Sequence, residues 1–177
     1  ARHLYQVVRG IDPSPVQPAG PPGSDYDHRH VFSPDTNQEA VVRAAVTTLA
    51  QQAGHGLRQR QLGCRRVAVA LFYSDGVTVT RQAVTPTPAN DDPAIQQLAL
   101  AALYRAWHRR VRLQQLGISC SLIQHPVQQL SLFAAVDPRA QTNRRLSEAC
   151  DAIRARCGQD KIVRGCQQPL RAGDAAA

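Results

Sequence analysis

A period of two dominates the hydrophobic pattern at the centre of the chain. Large apolar residues occupy every second position from Val67 to Tyr73, which is typical of a β-strand with one buried face. Ser74-Asp75-Gly76 follows as a turn signal, and a second alternating segment runs from Val77 to Gln82. The two segments therefore predict a β-hairpin.

A helical period replaces this alternation before the hairpin. Apolar residues recur every three or four positions, at Val42, Ala45, Val46, Leu49 and Ala53. Thr36 and Glu39 have the spacing of a capping box, which predicts that the helix begins there. Gly54 and Gly56 predict its end.

A second helix is predicted after the hairpin. Thr85-Pro86-Thr87-Pro88 is expected to form a loop, and Asn90 to Asp92 with Pro93 in the first turn favour a helix start. The apolar stripe of this helix is Ile95, Leu98, Ala99, Ala102, Leu103 and Ala106. Its predicted last turn is basic, with Arg105, His108, Arg109 and Arg110.

Two further strands complete the pattern, a short one over Asp27–Phe32 and a final one over Gly117–Ile123. The order β-α-β-β-α-β predicts an α+β fold, in which two helices cover one face of a four-stranded antiparallel sheet. The opposite face is then expected to be polar, with Arg29, Thr78, Thr80, Ser119 and Ser121 as candidates. A short C-terminal helix over Leu146–Cys157, ended by Gly158, is also predicted.

Composition divides the chain into segments. Residues 1–26 are rich in Pro and Gly and indicate a linker. The folded domain is expected over 27–124, a peptide segment over 125–136, and a tail with the short helix over 137–177. The chain contains no Met, and we expect it to be a piece of a longer protein.

The formal net charge is +8, and Arg supplies nearly all of the cations. A basic protein is expected to bind an anionic partner, with nucleic acid as the default. Arg58 and Arg60 precede Arg65 and Arg66 with no acidic residue between them. A GC-rich genome also favours Arg codons, so the sign of the charge is more informative than the choice of Arg.

Other kinds of site are disfavoured. The five cysteines include no C-x-x-C pair, which argues against a zinc site or a disulfide framework. We expect them to be small buried hydrophobes in a reducing compartment. His28, His30, His55 and His108 lack partners at metal-ligand spacing. No apolar run is long enough to span a membrane.

Gln129-Leu130-Ser131-Leu132-Phe133 follows Pro126 and ends in two large apolar side chains. In an extended segment, such side chains can anchor a peptide in a pocket of another protein. The run resembles the bacterial sliding-clamp-binding pentapeptide, which implies that Leu132 and Phe133 fill the pocket, assisted by Leu130, while Gln129 donates or accepts at its rim. The alternative is a last edge strand packed on this chain's own core.

The ordered set of segments resembles the little-finger domain of bacterial Y-family translesion DNA polymerases. Gly10-Ile11-Asp12 with Pro15-Val16 is similar to the end of the preceding thumb domain, and Asp35-Thr36 to the opening of the first helix. The segments similar to the central hairpin are Arg66–Tyr73, Asp75-Gly76 and Thr80-Arg81. Those similar to the entry into the last strand are Arg110-Val111-Arg112 and Leu116-Gly117-Ile118. Those similar to a C-terminal extension of some members are Ile153-Arg154, Gly158 and Arg164-Gly165.

The resemblance implies a function and a set of contacts. The family's little finger lies across the major groove of primer–template DNA and holds phosphates of both strands without reading bases. The residues that match these contact regions are Arg29, Arg65, Arg66, Thr80, Arg81, Arg110 and Arg112, with Arg58 and Arg60 at the margin. Arg105 and Arg109 are alternatively expected to complement a helix dipole.

The resemblance also limits what this chain does. The family's catalytic carboxylates and its Mg²⁺ belong to a palm domain, so this fragment is expected not to catalyse and to need no cofactor. The parent protein is expected to be a DNA polymerase, cytoplasmic and associated with the nucleoid, and this fragment a monomer. The family's first strand often carries a Lys-Ser pair, whereas this chain has His28-Arg29-His30.

Three other functions stay open. One is a non-catalytic polymerase-like adaptor that recruits another polymerase, and palm carboxylates in the preceding sequence would distinguish it. Another is an RNA-recognition module, but the central strand Val67–Tyr73 lacks the aromatic-rich motif of those domains. An enzyme acting alone is the least favoured, because we find no catalytic constellation in the sequence.

Overall fold

The computed structural model describes residues 26–125, 138–158 and 161–167. The strands are β1 (Tyr26–Thr36), β2 (Gly63–Tyr73), β3 (Thr78–Ala89) and β4 (Leu113–Gln124), and the helices are α1 (Glu39–Gln59), α2 (Asp92–Ala106) and α3 (Pro138–Cys157). A short 3-10 helix covers Gly165–Gln167. The predicted α+β class and the order β-α-β-β-α-β are confirmed, with α3 as the C-terminal helix.

The four strands form one antiparallel sheet in the order β1-β4-β2-β3. Strand β2 lies in the middle, and its burial alternates as its sequence predicts. Because successive side chains of a strand point to opposite faces, Val67, Val69, Leu71 and Tyr73 pack under the helices, while Ala68, Ala70 and Phe72 lie on the other face. That second face carries no helix among the described elements.

The core lies between the sheet and the helices α1 and α2. Each helix contributes the stripe that its period predicts, and Leu98 alone among the α2 stripe is only partly buried. Ala, Val and Leu dominate this core, because the chain has few aromatic residues. The small alanines of α1 and α2 allow the two helices to pack closely above the sheet.

Helix α1 differs from its prediction at both ends. It begins at Glu39 with Gln38 as its N-cap and has no side-chain cap. Thr36 Oγ1 accepts a hydrogen bond from the Gln38 N–H at 3.2 Å and stays in β1, so the capping box does not form. The helix also continues through Gly54 to Gln59. A Cβ on Gly54 would lie 2.9 Å from Asp92 Oδ1, so this glycine provides space for a carboxylate and does not end the helix.

Strand β3 and helix α2 show two more differences. The predicted loop at Thr85–Pro88 is part of β3; because β3 is an edge strand, prolines there interrupt no second ladder. Helix α2 begins as predicted, with the Asp91 side chain accepting from the Ala94 N–H, but it ends at Ala106. The predicted basic last turn therefore retains Arg105, while His108, Arg109 and Arg110 lie in the following loop.

Helix α3 is longer than predicted and packs with its polar side inward. It begins at Pro138 and ends at Cys157, before Gly158 with φ +99°. Ser147 and Arg154 are buried, whereas Leu146 and Ile153 are largely exposed.

Cys64 and Cys120 are buried as expected, but Cys157 is exposed and Cys150 only half-buried, because the stripe that they share on α3 does not face the core. The pentapeptide Gln129–Phe133, the linker before residue 26 and the last ten residues lie outside the described residues.

Candidate nucleic-acid interface

The face of the sheet opposite α1 and α2, called here the open face, is built from rows of side chains that cross the strands. One row runs from Arg29 on β1 through Gly117 on β4 and Ala70 on β2 to Thr80 on β3. The neighbouring rows, in the same strand order, are Asp27, Ser119, Ala68 and Gln82 on one side and Val31, Gln115, Phe72 and Thr78 on the other. Ser121, Arg66 and Val84 form a further, shorter row.

The expected polar face therefore exists with the predicted parity. Arg29, Thr78, Thr80, Ser119 and Ser121 all lie on the open face. In the Arg29 and Asp27 rows, the two central strands carry small residues, while the longer polar side chains of Arg29, Asp27 and Gln82 stand on the edge strands β1 and β3. The result is a shallow trough of about 240 Å³, lined mainly by residues of the Arg29 and Asp27 rows together with Phe72. A ligand backbone can approach the sheet closely along this trough.

Among the residues of these rows, three carry a formal charge, namely Arg29, Arg66 and Asp27. No acceptor among the described residues takes a hydrogen bond from the Arg29 guanidinium, which instead lies 5.9 Å from the centre of the Phe72 ring. Arg66 Nε is buried and has no hydrogen-bond partner in the described part of the chain. His28 points towards the helices, and its burial, opposed by the charge of Asp27, lowers its pKa. It is therefore neutral at physiological pH and adds no positive charge.

Two predicted contact residues do not join this face. Arg81 pairs with Val69 in the ladder and so belongs to the parity that faces the helices; its Nη1 donates to the Thr80 carbonyl at 2.9 Å. Arg65 lies where the pairing of β2 with β3 is irregular, and its half-buried side chain donates from Nε to the Thr85 carbonyl at 3.3 Å. Both positions follow the alternation of their strands, because Arg65 directly precedes Arg66 and Arg81 directly follows Thr80, and those two residues lie on the open face.

Arg110 and Arg112 are exposed in the loop between α2 and β4. The Arg112 carbonyl accepts from the Ser74 N–H at 3.0 Å, so this loop lies at the end of the sheet where the β2–β3 turn is found. Arg109 secures the arrangement: its Nη2 lies 2.6 Å from Asp75 Oδ2, and its guanidinium carbon lies 5.0 Å from the Tyr73 ring centre. The hydrogen bond from Arg109 lowers the pKa of Asp75. Arg109 therefore joins loop to turn and does not complement the helix dipole.

Arg58 does not lie at the margin of the open face. It is buried on the helix side, where its Nε and Nη2 donate to Asp151 of α3 and its Nη1 to Asp92 of α2. Arg154 and Arg164 also approach these carboxylates, and we call the five residues the Arg58 cluster. Arg60 is exposed at the end of α1. The cluster holds α3 against the helices, away from the sheet.

The sequence interpretation missed the residues that shape the trough. Alternation predicts Phe72 and Gly117 as strand residues, without a place in the interface. The pairing of strands β1, β4 and β2, which brings these residues beside Arg29, is the signal that was lacking, because alternation within one strand does not reveal its neighbours.

Within residues 26–125, 138–158 and 161–167, no three His, Cys, Asp or Glu side chains lie together as metal ligands would. None of the helices in these ranges has the length and apolarity to cross a membrane.

The domain is similar to a known family and to several known proteins. The family model described as the impB/mucB/samB family C-terminal domain matches residues 28–132. A DNA polymerase IV of Halorhodospira halophila is 32% identical over 135 residues, covering 75% of this chain and 37% of the relative. A DNA polymerase IV of Dehalococcoides mccartyi is 27% identical over 168 residues, covering 93% and 41%. The chain thus spans about two-fifths of the length of these curated relatives.

Two solved structures are also similar. A Y-family DNA polymerase chimera matches with 12% identity and a TM-score of 0.48, covering 69% of this chain and 34% of that one. A post-insertion binary complex of Dbh DNA polymerase matches with 12% identity and a TM-score of 0.45, covering 69% and 35%. The resemblance to the Y-family is confirmed by the family model and by the relatives. Since the family match spans more than half of its residues, this chain belongs to the impB/mucB/samB family, whose C-terminal domain it carries.

Proposed function

We propose that this chain is the DNA-binding little-finger domain of a Y-family translesion DNA polymerase, and that its open face holds primer–template duplex by the phosphates. The observation that carries the proposal is the uncovered sheet face, with a trough of small residues between polar edges and two arginines that form no ion pair with any described residue. The names of the relatives, DNA polymerase IV, support the same function.

The side chains of the open face suit phosphates better than bases. Hydroxyl and amide groups stand along its edges, and such groups and Arg are common donors to phosphate oxygens. Phe72, the aromatic residue of this face, is covered by Arg29 and so is not a free stacking platform of the kind that RNA-recognition sheets offer. Binding is therefore expected to depend on charge and shape and not on sequence, which suits a polymerase that meets damaged templates.

The two arginines of the open face reach separate phosphates. Arg29 lies on β1 and Arg66 on β2, two strands apart and four residues apart along the strands. Ordinary sheet spacings then separate their Cα atoms by about 16 Å. Each arginine releases about one counterion from the DNA when it binds a phosphate. Each therefore makes the fall of log K with log salt steeper by about 0.9. Arg110 and Arg112 extend this surface beyond the end of the sheet.

The clamp-binding role is part of the same proposal. Gln129–Phe133 follows β4, whose end is held by a contact between His125 Nδ1 and the Gln61 carbonyl at 3.3 Å. A peptide that follows the DNA-binding sheet in sequence and binds the sliding clamp raises the effective concentration of the polymerase at the primer terminus. Residues 125–136 are assigned this role, residues 1–26 to the end of the thumb domain and its linker, and residues 137–177 to the tail.

The parent protein is proposed to be a cytoplasmic, nucleoid-associated DNA polymerase, whose Mg²⁺ and catalytic carboxylates lie in the palm and not in this domain. This chain alone is proposed to be a monomer without catalytic activity. A parent sequence lacking palm carboxylates would make the domain part of a non-catalytic adaptor instead.

The test is a titration of the chain with fluorescent primer–template duplexes of two unrelated sequences at several salt concentrations. We expect similar Kd values for the two sequences, and a fall in affinity of at least tenfold between 50 and 200 mM salt, which corresponds to about two phosphate contacts. An affinity that depends on sequence, or that is insensitive to salt, would contradict the proposal.

A further inference from the structure

Arg29 and Phe72 contact each other across a strand that lies between them. Arg29 is on β1 and Phe72 on β2, with β4 between the two. The guanidinium carbon nevertheless lies 5.9 Å from the centre of the Phe72 ring, within the range of a cation–π interaction. The side chain of Arg29 therefore lies across the sheet, where it stays exposed to solvent.

Gly117 on β4 provides the space for this path. It is the ladder partner of Arg29 on one side and of Ala70 on the other. A Cβ placed on Gly117 would lie 3.7 Å from Arg29 Cγ and 3.9 Å from Ala70 Cβ. A methyl group fits at these distances, but the branches of a larger side chain would occupy the path of Arg29.

The hydrogen-bonding groups of Arg29 remain available. Arg58 and Arg109 are committed to carboxylates, whereas Arg29 donates to no acceptor among the described residues and does not pair with Asp27 in the adjacent row. A guanidinium held by its flat surface keeps its N–H groups free at its edge. Those groups lie beside the trough between Arg29 and Thr80.

We propose that Phe72 is a positioning residue for Arg29, with Gly117 as the gap through which Arg29 reaches it. The contact with Phe72 holds the Arg29 guanidinium over the trough, where it forms a preorganised binding site for one phosphodiester of the duplex. This inference rests on the proposed DNA-binding function and adds to it the residues that orient one contact. A side chain already fixed in its bound conformation loses less freedom on binding.

The test is a double-mutant cycle for duplex binding with the full chain. We expect Phe72→Leu to raise Kd about two- to fivefold, the worth of an exposed cation–π pair, and Phe72→Trp to retain the wild-type Kd. In the Arg29→Ala background, Phe72→Leu should change nothing further. Arg29→Ala should lower the salt slope by about one, and Phe72→Leu should leave it unchanged.

Gly117→Val disturbs the contact between Arg29 and Phe72 from a different strand. It should raise the duplex Kd by the same factor as Phe72→Leu. Gln97→Ala, at an exposed position of α2 on the helix side, is the control and should have little effect. Circular dichroism checks that each variant is folded. Equal effects of Phe72→Leu with and without Arg29, or no effect of Gly117→Val, would overturn the inference while leaving DNA binding intact. Absence of duplex binding by the wild type would instead overturn the proposed function.

Discussion

Arg58 and Asp151 form a two-point ion pair that joins α1 to the C-terminal helix α3. Arg58 Nε lies 2.7 Å from Asp151 Oδ2, and Nη2 lies 3.1 Å from Oδ1. The third nitrogen of the guanidinium lies 2.7 Å from Asp92 Oδ1, and the Asp92 side chain is 1% exposed. A fork of donors that satisfies two carboxylates at once explains why α3 packs by its polar side.

Loss of Arg58 should therefore destabilise the domain strongly. Arg58→Met leaves Asp92 and Asp151 short of a partner in a buried setting, which costs about 3 kcal/mol or more of unfolding free energy. The measurement is urea unfolding at pH 7. Arg43→Met on the same helix is the control, since the Arg43–Glu39 pair is exposed and 3.7 Å long, and it should cost under about 0.5 kcal/mol. Similar losses in the two variants would contradict the role given to the Arg58 cluster.

Stability should also fall in acid through Asp151. Burial raises the pKa of this carboxyl, but the hydrogen bond and charge of Arg58, aided by His55, outweigh burial and lower the pKa overall; Arg154 also lies 3.8 Å away. A carboxyl with a lowered folded pKa stabilises the fold above its unfolded pKa of about 3.9. That contribution is lost as the pH falls through the folded pKa.

The pH prediction can be checked against Asp151→Asn. The wild type should exceed this variant in unfolding free energy at pH 7, and the difference should shrink as the pH falls below about 4. Urea titrations between pH 2 and 7 measure it. A difference that stays constant over this range would show that the charge of Asp151 does not matter.

Gly54 should tolerate no side chain, although it lies inside a helix. Gly to Ala in a helix interior usually stabilises by about 0.5–1 kcal/mol. Here a Cβ would lie 2.9 Å from Asp92 Oδ1 and 3.0 Å from Arg58 Nη1, so Gly54→Ala should lower the melting temperature. Gln52→Ala, on the exposed side of α1, should leave it equal or raise it. A melting temperature raised by Gly54→Ala would show that α1 and α2 can move apart at little cost.

The sequence predicted the sheet and the two covering helices because their residues follow simple periods. The alternation in β2 and the stripe of α2 report burial directly. Helix α3 reverses this rule: Asp151 and Arg154 face inward while Leu146 and Ile153 face out, because an ion-pair network and not an apolar stripe holds the helix. No local period reveals that Arg58 and Asp92, which are far apart in the chain, create a polar surface for it.

The candidate interface was predictable in part for the same reason. Arg29 and Thr80 follow from parity in regular strands, and both lie on the open face. Arg65 and Arg81 are the sequence neighbours of Arg66 and Thr80, so the same alternation places them off the open face. The contact of Arg29 with Phe72 depends on the strand order, which the periodicity of one strand does not contain.

Clamp binding and DNA binding should separate by mutation. Leu132→Ala with Phe133→Ala removes the two proposed anchors and should abolish binding to the sliding clamp in a pull-down, while the duplex Kd stays within about twofold, since charge supplies that affinity. Arg29→Ala with Arg66→Ala should do the reverse. Loss of both activities in either variant would contradict the assignment of two independent surfaces.

The most direct test of the central claim compares two variants that each remove two positive charges from different sides of the molecule. Arg29→Ala with Arg66→Ala changes the open face, and Arg145→Ala with Arg156→Ala changes exposed positions on α3, which packs on the helix side. We expect the first pair to weaken duplex binding at least tenfold and to lower the salt slope by about two, and the second to leave Kd within about threefold. Equal losses in the two variants would show that the net charge of the chain, and not the open face, binds the duplex.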